Sequence, residues 1–170
     1  MTPPTQWVLG ESEETLHTSD RGEVGVIITA LIAQAQHSVA LAAPRLDHPI
    51  FGSEEVHDGL SHLPAAHPRN TVRFLIEDNE FFLHKNSRLL SLCRRFSSYV
   101  KVHRIPAHEL PFTELVLVVD DSGYAHQPAI DKPLVTACFN DRARCRLLLR
   151  RYNEMWERST ALAEISALGL

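Results

Sequence analysis

Two aspartates end a strongly apolar stretch near the middle of the chain, and their position raises the question of a catalytic site. The segment PFTELVLVVDDSGYAHQP, residues 111–128, runs from five apolar residues directly into Asp120 and Asp121. A Ser-Gly pair then predicts a tight turn, and a returning strand that carries His126 follows. Such an aspartate either orients a catalytic histidine or starts the turn by hydrogen bonding to its own backbone.

Histidines are the alternative carriers of an acid, a base or a nucleophile. His126 lies nearest to the aspartates, and an exposed strand histidine is the simpler interpretation of it. His84 is followed by a lysine in a predicted helix, where adjacent side chains point about 100° apart and make a poor joint site. His57, His62 and His67 recur at steps of five, which is not the tight spacing of a zinc site. We therefore expect no metal and no cofactor.

Arginines are concentrated near the C-terminus. Five of them fall between residues 141 and 151, around an apolar stripe at helical spacing. They form either a solvated flank of the helix or a patch that binds an anion such as phosphate. The candidates for binding an anion are Arg142, Arg146 and Arg150.

Helical and strand-like patterns alternate along the chain. The predicted elements are a helix from Asp20, a strand over 38–43, a helix from Ser53, a strand over 71–76, a helix over 82–96, a strand over 100–105, the hairpin, and a helix over 141–160. Helix crossovers favour parallel neighbours, whereas the hairpin adds an antiparallel strand. We predict an α/β fold with a mixed, mostly parallel sheet and helices on both faces. We expect residues 20–160 to form this domain, after a leader over 1–19 that packs only in part and before a tail over 161–170.

Composition argues against several classes of protein. The chain has 170 residues, of which 44% are hydrophobic and 22% are charged, as is ordinary for one globular domain. The net charge of −4 argues against a dedicated nucleic-acid binder. No apolar run reaches membrane-spanning length, the first residues lack the pattern of a signal peptide, and the three cysteines form no CxxC pair. We expect a soluble, cytoplasmic protein that does not bind a membrane.

The order of these elements resembles one half of the phospholipase D superfamily. There, a strand carries His-x-Lys-x-x-x-x-Asp, and a hairpin and a closing helix follow. When Asp120 is placed on the family's aspartate, Thr113 stands in place of the histidine and Leu115 in place of the lysine. Asn140 stands where the family often has an asparagine of its site, and YNEMWERS resembles its terminal helix. The chain looks more closely still like a bacterial family of uncharacterised phospholipase D-like domains, some of which are appended to GNAT-type acetyltransferases.

This resemblance implies a site that has lost its reaction. Enzymes of the superfamily use a histidine nitrogen as the nucleophile on a phosphodiester and a lysine to neutralise the phosphoryl oxygens. A threonine hydroxyl without a base and a leucine can do neither, so we expect a non-catalytic domain. The candidates for the degenerate site are Thr113, Asp120, His126 and Asn140.

Three functions are consistent with these residues. The leading hypothesis is a non-catalytic module that binds a ligand or a protein partner, the resemblance suggesting an acetyltransferase-type partner. The second is a phosphodiesterase that uses His84 or His126 in place of the lost residues. The third is nucleic-acid binding through the arginine-rich last helix. Because single-motif members of the superfamily complete their site from two chains, the resemblance also implies a homodimer.

Overall fold

The computed structural model describes residues 6–46 and 48–167, which build one eight-stranded sheet with helices packed against it. The strands are β1 (Leu16–Thr18), β2 (Ser38–Ala43), β3 (Thr71–Ile76), β4 (Val100–Arg104), β5 (Leu115–Val119), β6 (Gly123–Gln127), β7 (Val135–Cys138) and β8 (Thr160–Ala161). The helices are α1 (Arg21–Ala33), α2 (His48–Phe51), α3 (Glu54–Ala66), α4 (Asn79–Lys85), α5 (Ser87–Arg95), α6 (Arg142–Glu157) and α7 (Ala163–Ala167).

The sheet is mixed, with the strand order β1-β7-β6-β5-β2-β3-β4-β8. The β2–β3 and β3–β4 pairs are parallel, whereas the other five neighbouring pairs of the described strands are antiparallel. The predicted α/β fold with a mixed sheet is therefore confirmed, but the prediction that the sheet is mostly parallel is wrong. Helices connect the parallel neighbours β2, β3 and β4, whereas loops without helices connect β5, β6 and β7. The two outermost strands, β1 and β8, are antiparallel to their neighbours.

Helices cover both faces of the sheet because the central strands are buried on both sides. Leu41 of β2 and Leu117 of β5 are paired and face the layer of α1, α3 and α5. Their neighbours Ala40 and Val118 are also paired, and they face α6. This alternation follows from the two-residue period of a strand, and it explains the nearly continuous apolar sequences of β2 and β5.

Two helices begin at the N-cap residues that the sequence predicts, but one predicted helix is divided in two. The side chains of Asp20 and Ser53 accept hydrogen bonds from the backbone N–H groups of Glu23 and Val56, so both residues are the N-caps that the sequence predicts. The single helix predicted over 82–96 is instead two helices, α4 and α5. Asn86 separates them: it is buried, leaves the helical conformation, and donates through Nδ2 to the carbonyl of Leu46 at 3.2 Å.

Parts of both predicted end segments belong to the folded unit. Trp7 is buried, and its ring stacks on Phe139 with 5.5 Å between centroids. Gln34 donates through Nε2 to the carbonyl of Trp7 at 2.9 Å and accepts from the backbone N–H of Leu9 at 2.8 Å. The predicted leader also supplies β1, and the predicted tail supplies α7. Residues 1–5 and 168–170 of these two predictions lie outside the described residues.

The ends of the central strands form two opposite sides of the sheet, and the candidate residues lie at one or the other. We call the edge where the parallel strands β2, β3 and β4 end the carboxyl edge. Because β5 is antiparallel to β2, it begins at the carboxyl edge and ends at the opposite edge. We call that opposite edge the turn edge, since the β5–β6 turn lies there.

Candidate ligand-binding site

The four residues predicted for a degenerate site lie at the two different edges of the sheet. Thr113 precedes β5, and His126 pairs with Val116 near the start of that strand, so both lie at the carboxyl edge. Asp120 lies in the turn, and Asn140 precedes Asp141, whose backbone N–H donates to Ser122 at 2.8 Å. Thr113 and Asp120 are seven positions apart along the chain, a span of about 23 Å in an extended strand. The structure therefore brings these residues together in pairs and not in one pocket.

Asp120 is fully engaged by the backbone. Its carboxylate accepts hydrogen bonds from the N–H groups of Gln36 at 2.8 Å, His37 at 2.7 Å and Ser38 at 2.9 Å. Its own N–H donates to the carbonyl of Ser38 at 3.0 Å. Asp120 and Asp121 both have left-handed φ angles, 54° and 55°, which is the geometry of a tight hairpin turn. The carboxylate fastens the turn to the segment that enters β2 and, within the described residues, makes no hydrogen bond to a histidine side chain.

His126 belongs to a four-residue network on the α6 side of the hairpin, which we call the Glu114 network. Its Nδ1 lies 3.2 Å from an Arg144 nitrogen, and its Nε2 lies 3.4 Å from Glu114. Glu114 also accepts from Arg151 through both carboxylate oxygens, at 2.7 and 2.6 Å. Because arginine only donates, Nδ1 is the acceptor and Nε2 carries the proton. Both ring nitrogens are therefore in use.

The environment of His126 opposes its protonation. Burial lowers the pKa of His126 below its ordinary value of 6.5; the hydrogen bond and charge of Glu114 raise it in part, and Arg144 and Arg151 lower it. The neutral ring is thus the stable form near neutral pH.

We expect this histidine to make the fold sensitive to mild acid. Its pKa is lower in the folded chain than in the unfolded chain, so the unfolded chain binds more protons between the two values. Stability therefore falls as the pH decreases from about 6.5 through the folded pKa, and the loss is complete below it. NMR titration of the ring should give a His126 pKa below 6.5, and Glu114→Gln should lower it further. A His126 pKa above 6.5 would contradict this geometry.

A cleft of about 580 Å³ lies at the carboxyl edge, beside the start of β5. Its polar lining includes Arg21 at the start of α1, Arg45 just after β2, Gln127 at the end of β6, and one acidic residue, Asp131. Its apolar lining includes Phe51 and Leu115, which are both part of the core. Leu115, the residue in place of the family lysine, is thus an apolar wall of this cleft.

The two arginines of the cleft carry free positive charge. Arg21 and Arg45 are exposed, and in the described part of the chain neither makes an ion pair. The Arg45 guanidinium lies over the ring of Phe81, 4.9 Å from its centroid, which orients the side chain without neutralising it. The carboxyl ends of parallel strands are where open α/β sheets usually bind ligands.

A second groove, of about 340 Å³, follows the outer side of α6. Arg142, Arg146 and Arg150, the predicted anion-binding candidates, all line it, together with Asp121 and other residues. The groove is at the turn edge, whereas the cleft described above is at the carboxyl edge.

Two buried thiols and one exposed histidine are further groups with nucleophilic atoms. Burial raises the pKa of the Cys93 and Cys145 thiols to about 12, so they stay protonated. His84 is exposed on α4, and its Nε2 lies 3.2 Å from a carboxylate oxygen of Glu80, one helical turn away.

Four residues of these sites were not predicted from the sequence: Glu114, Arg21, Arg45 and Gln127. Glu114 lies between the two positions compared with the catalytic motif, and its partners are distant in sequence. Arg45 had a usable signal, because it follows directly on a predicted buried strand, where a ligand site is expected in an α/β fold.

The fold is that of the phospholipase D class, as comparison with solved structures shows. Nuc from Salmonella typhimurium, a phospholipase D family member, matches with a TM-score of 0.62 and 13% identity, over 88% of this chain and 99% of its own. NucT from Helicobacter pylori matches with a TM-score of 0.58 and 14% identity, over 88% and 100%. TrmBL2, an archaeal chromatin protein, matches with a TM-score of 0.65 and 13% identity, over 88% of this chain but 52% of its own.

A sequence family is shown as well. The profile of a domain of unknown function, DUF7931, matches residues 20–168, so the chain belongs to that family. No curated protein sequence matches the chain significantly. Among the described residues, no helix combines the length and the apolar character needed to cross a membrane.

Proposed function

We propose that the chain is a non-catalytic domain of phospholipase D-like fold that binds a small organic anion in the carboxyl-edge cleft. The observation that carries this proposal is the lining of the cleft. Among the described residues, the lining combines an apolar wall with two arginines that form no ion pair and one carboxylate, that of Asp131.

The described residues near the predicted motif lack a usable nucleophile, which supports a non-catalytic function. Thr113 is exposed, and a threonine hydroxyl without a base is not ionised near neutral pH. Leu115 cannot neutralise a phosphoryl oxygen. His126, the nearest histidine to the family's motif, has both nitrogens engaged in the Glu114 network, so it would have to break that network before it could attack a phosphorus.

The cleft chemistry supports an amphipathic anion. Guanidinium groups match the oxygens of phosphate and carboxylate, and the apolar wall favours a ligand with a hydrocarbon part. The volume of about 580 Å³ lies within the range of small-molecule sites.

The alternatives receive less support. TrmBL2 is described as a chromatin protein with a novel mode of DNA binding, but this chain spans about half of it and carries a net charge of −4. Relocated catalysis by His126 conflicts with the engagement of both its ring nitrogens, and His84 lines none of the grooves described above. The homodimer and the acetyltransferase-type partner remain predictions.

Isothermal titration with phenyl phosphate and inorganic phosphate tests the proposal. We expect phenyl phosphate to bind more tightly, because only it reaches the apolar wall. Arg45→Gln and Arg21→Gln should each weaken binding about tenfold, since each removes a charge-assisted hydrogen bond. Arg69→Gln is the matched control: it removes the same charge at the turn edge and should change affinity less than about twofold.

Two outcomes would contradict the proposed site. One is failure of phenyl phosphate to bind at all. The other is equal weakening by Arg45→Gln and Arg69→Gln, which would indicate a response to net charge and not to the cleft.

A further inference from the structure

The outer side of α6 and the neighbouring strands carry a continuous row of cations. We call it the cationic strip and define it as Arg142, Arg146, Arg150, Arg73 and Lys101. The three helical arginines line one groove and follow one another at about 6 Å along the helix axis. Arg73 of β3 extends the row, because it donates to Asn153, a residue of the same groove, at 2.9 Å. Lys101 pairs with Arg73 in the β3–β4 register.

The strip has positive charge that the chain does not neutralise. In residues 6–46 and 48–167, no carboxylate forms an ion pair with any of its five members. Arg144 and Arg151 of the same helix differ, because the Glu114 network holds both. Within the described residues, five cations that form no ion pair thus lie on one side of a chain of net charge −4, and one carboxylate, that of Asp121, lines the same groove.

Burial and the charge of the strip both lower the pKa of a neighbouring histidine, His103. His103 is stacked on Trp156 with 3.8 Å between centroids, and its Nδ1 lies 2.7 Å from Ser159 Oγ. Burial lowers the pKa of His103, and the charges of Lys101 and Arg73 lower it further. The end of the strip formed by Arg73 and Lys101 is thus electropositive.

We propose that the cationic strip binds an acidic segment of a partner protein. In an extended segment every second side chain lies on the same side, about 6.7 Å from the next. Carboxylates at every second position would therefore nearly match the spacing of the arginines along α6. Leu147 lies beside these arginines and is 55% exposed, so it offers an apolar contact to the same segment. The strip is separate from the carboxyl-edge cleft, and this proposal does not depend on the ligand of that cleft.

The strip favours a protein over a nucleic acid. Single-stranded nucleic acids bind to grooves in which aromatic rings are open for stacking on bases. Here the ring of Trp156 is already stacked on His103, and Tyr152 is buried beneath the Arg73 guanidinium.

Fluorescence anisotropy with two labelled probes tests the proposal. The probes are a twelve-residue peptide of alternating glutamate and leucine-or-serine residues, and a twelve-residue oligodeoxythymidylate. The chain should bind the peptide more tightly than the oligonucleotide, with an affinity that falls as salt increases. The double variant Arg146→Glu with Arg150→Glu should bind the peptide at least about tenfold more weakly.

The control is a double variant with the same change in net charge, placed in the helical layer on the other face of the sheet from α6. Arg88 and Arg94 are exposed on α5, and the double variant Arg88→Glu with Arg94→Glu should leave the affinity within about twofold. Tighter binding of the oligonucleotide, no binding of the peptide, or equal effects of the two double variants would each overturn the proposal. None of these outcomes bears on the binding of phenyl phosphate in the cleft.

Discussion

Asp120→Ala should lower the free energy of unfolding by about 3 kcal/mol. The carboxylate accepts three backbone hydrogen bonds from residues 36–38, and hydrogen bonds to a charged group contribute about 1.5–3 kcal/mol each. The sum is reduced because Gln36 and His37 are exposed and water can replace part of the lost partner. Asp120→Asn should cost less, since one amide oxygen can still accept from His37 and Ser38.

Asp121→Ala separates the effect of the carboxylate from that of the turn. Asp121 has the same left-handed φ, but its side chain is exposed and makes no hydrogen bond within the described residues. Its substitution should cost about 1 kcal/mol, the penalty of placing alanine in that conformation. Urea unfolding measures both values. Equal costs for the two alanine variants would show that Asp120 contributes no more than turn geometry.

Local patterns in the sequence predict the central strands and the helix ends. The Asp20 and Ser53 caps, the strand Ser38–Ala43 and the hairpin strand Leu115–Val119 occur where the sequence indicates, because each depends on neighbours within a few residues. Most of the last helix is also predicted correctly, since its apolar stripe is long and regular.

Strand direction and edge strands could not be predicted from such patterns. β1 and β8 have three and two residues, too few for a periodic signal, and they exist because they pair with β7 and β4. The break at Asn86 depends on a contact with Leu46, forty residues earlier. These features follow from tertiary contacts that no local sequence window contains.

The candidate site could also be predicted only in part, because some of its features depend on tertiary contacts. Alignment to a motif placed Thr113 and Asp120 in one degenerate site, but the two residues lie at opposite edges of the sheet. The partners of Asp120 precede it by more than eighty residues, so only the fold reveals that it fastens a turn. The arginine candidates on α6 were predictable as a group because they lie on one helix.

The second large effect that we expect is the absence of phosphodiesterase turnover. Enzymes accelerate their reactions by at least about 10⁶-fold, so an active site would raise the rate far above the blank. The resemblance predicts Thr113 at the position of the family histidine and Leu115 at that of the lysine, and His126 is engaged at both ring nitrogens. Among the described residues of the carboxyl edge, we find no group that could attack a phosphorus beside one that could neutralise its oxygens.

The release of p-nitrophenolate from bis-p-nitrophenyl phosphate tests this central claim most directly. The purified chain and its His126→Ala and His84→Ala variants are assayed between about pH 6 and pH 8, the range in which a histidine changes its charge. The account predicts that all three proteins give the rate of the blank. Turnover by the unchanged chain that disappears in His126→Ala or in His84→Ala would contradict it and would show that catalysis has moved to that histidine.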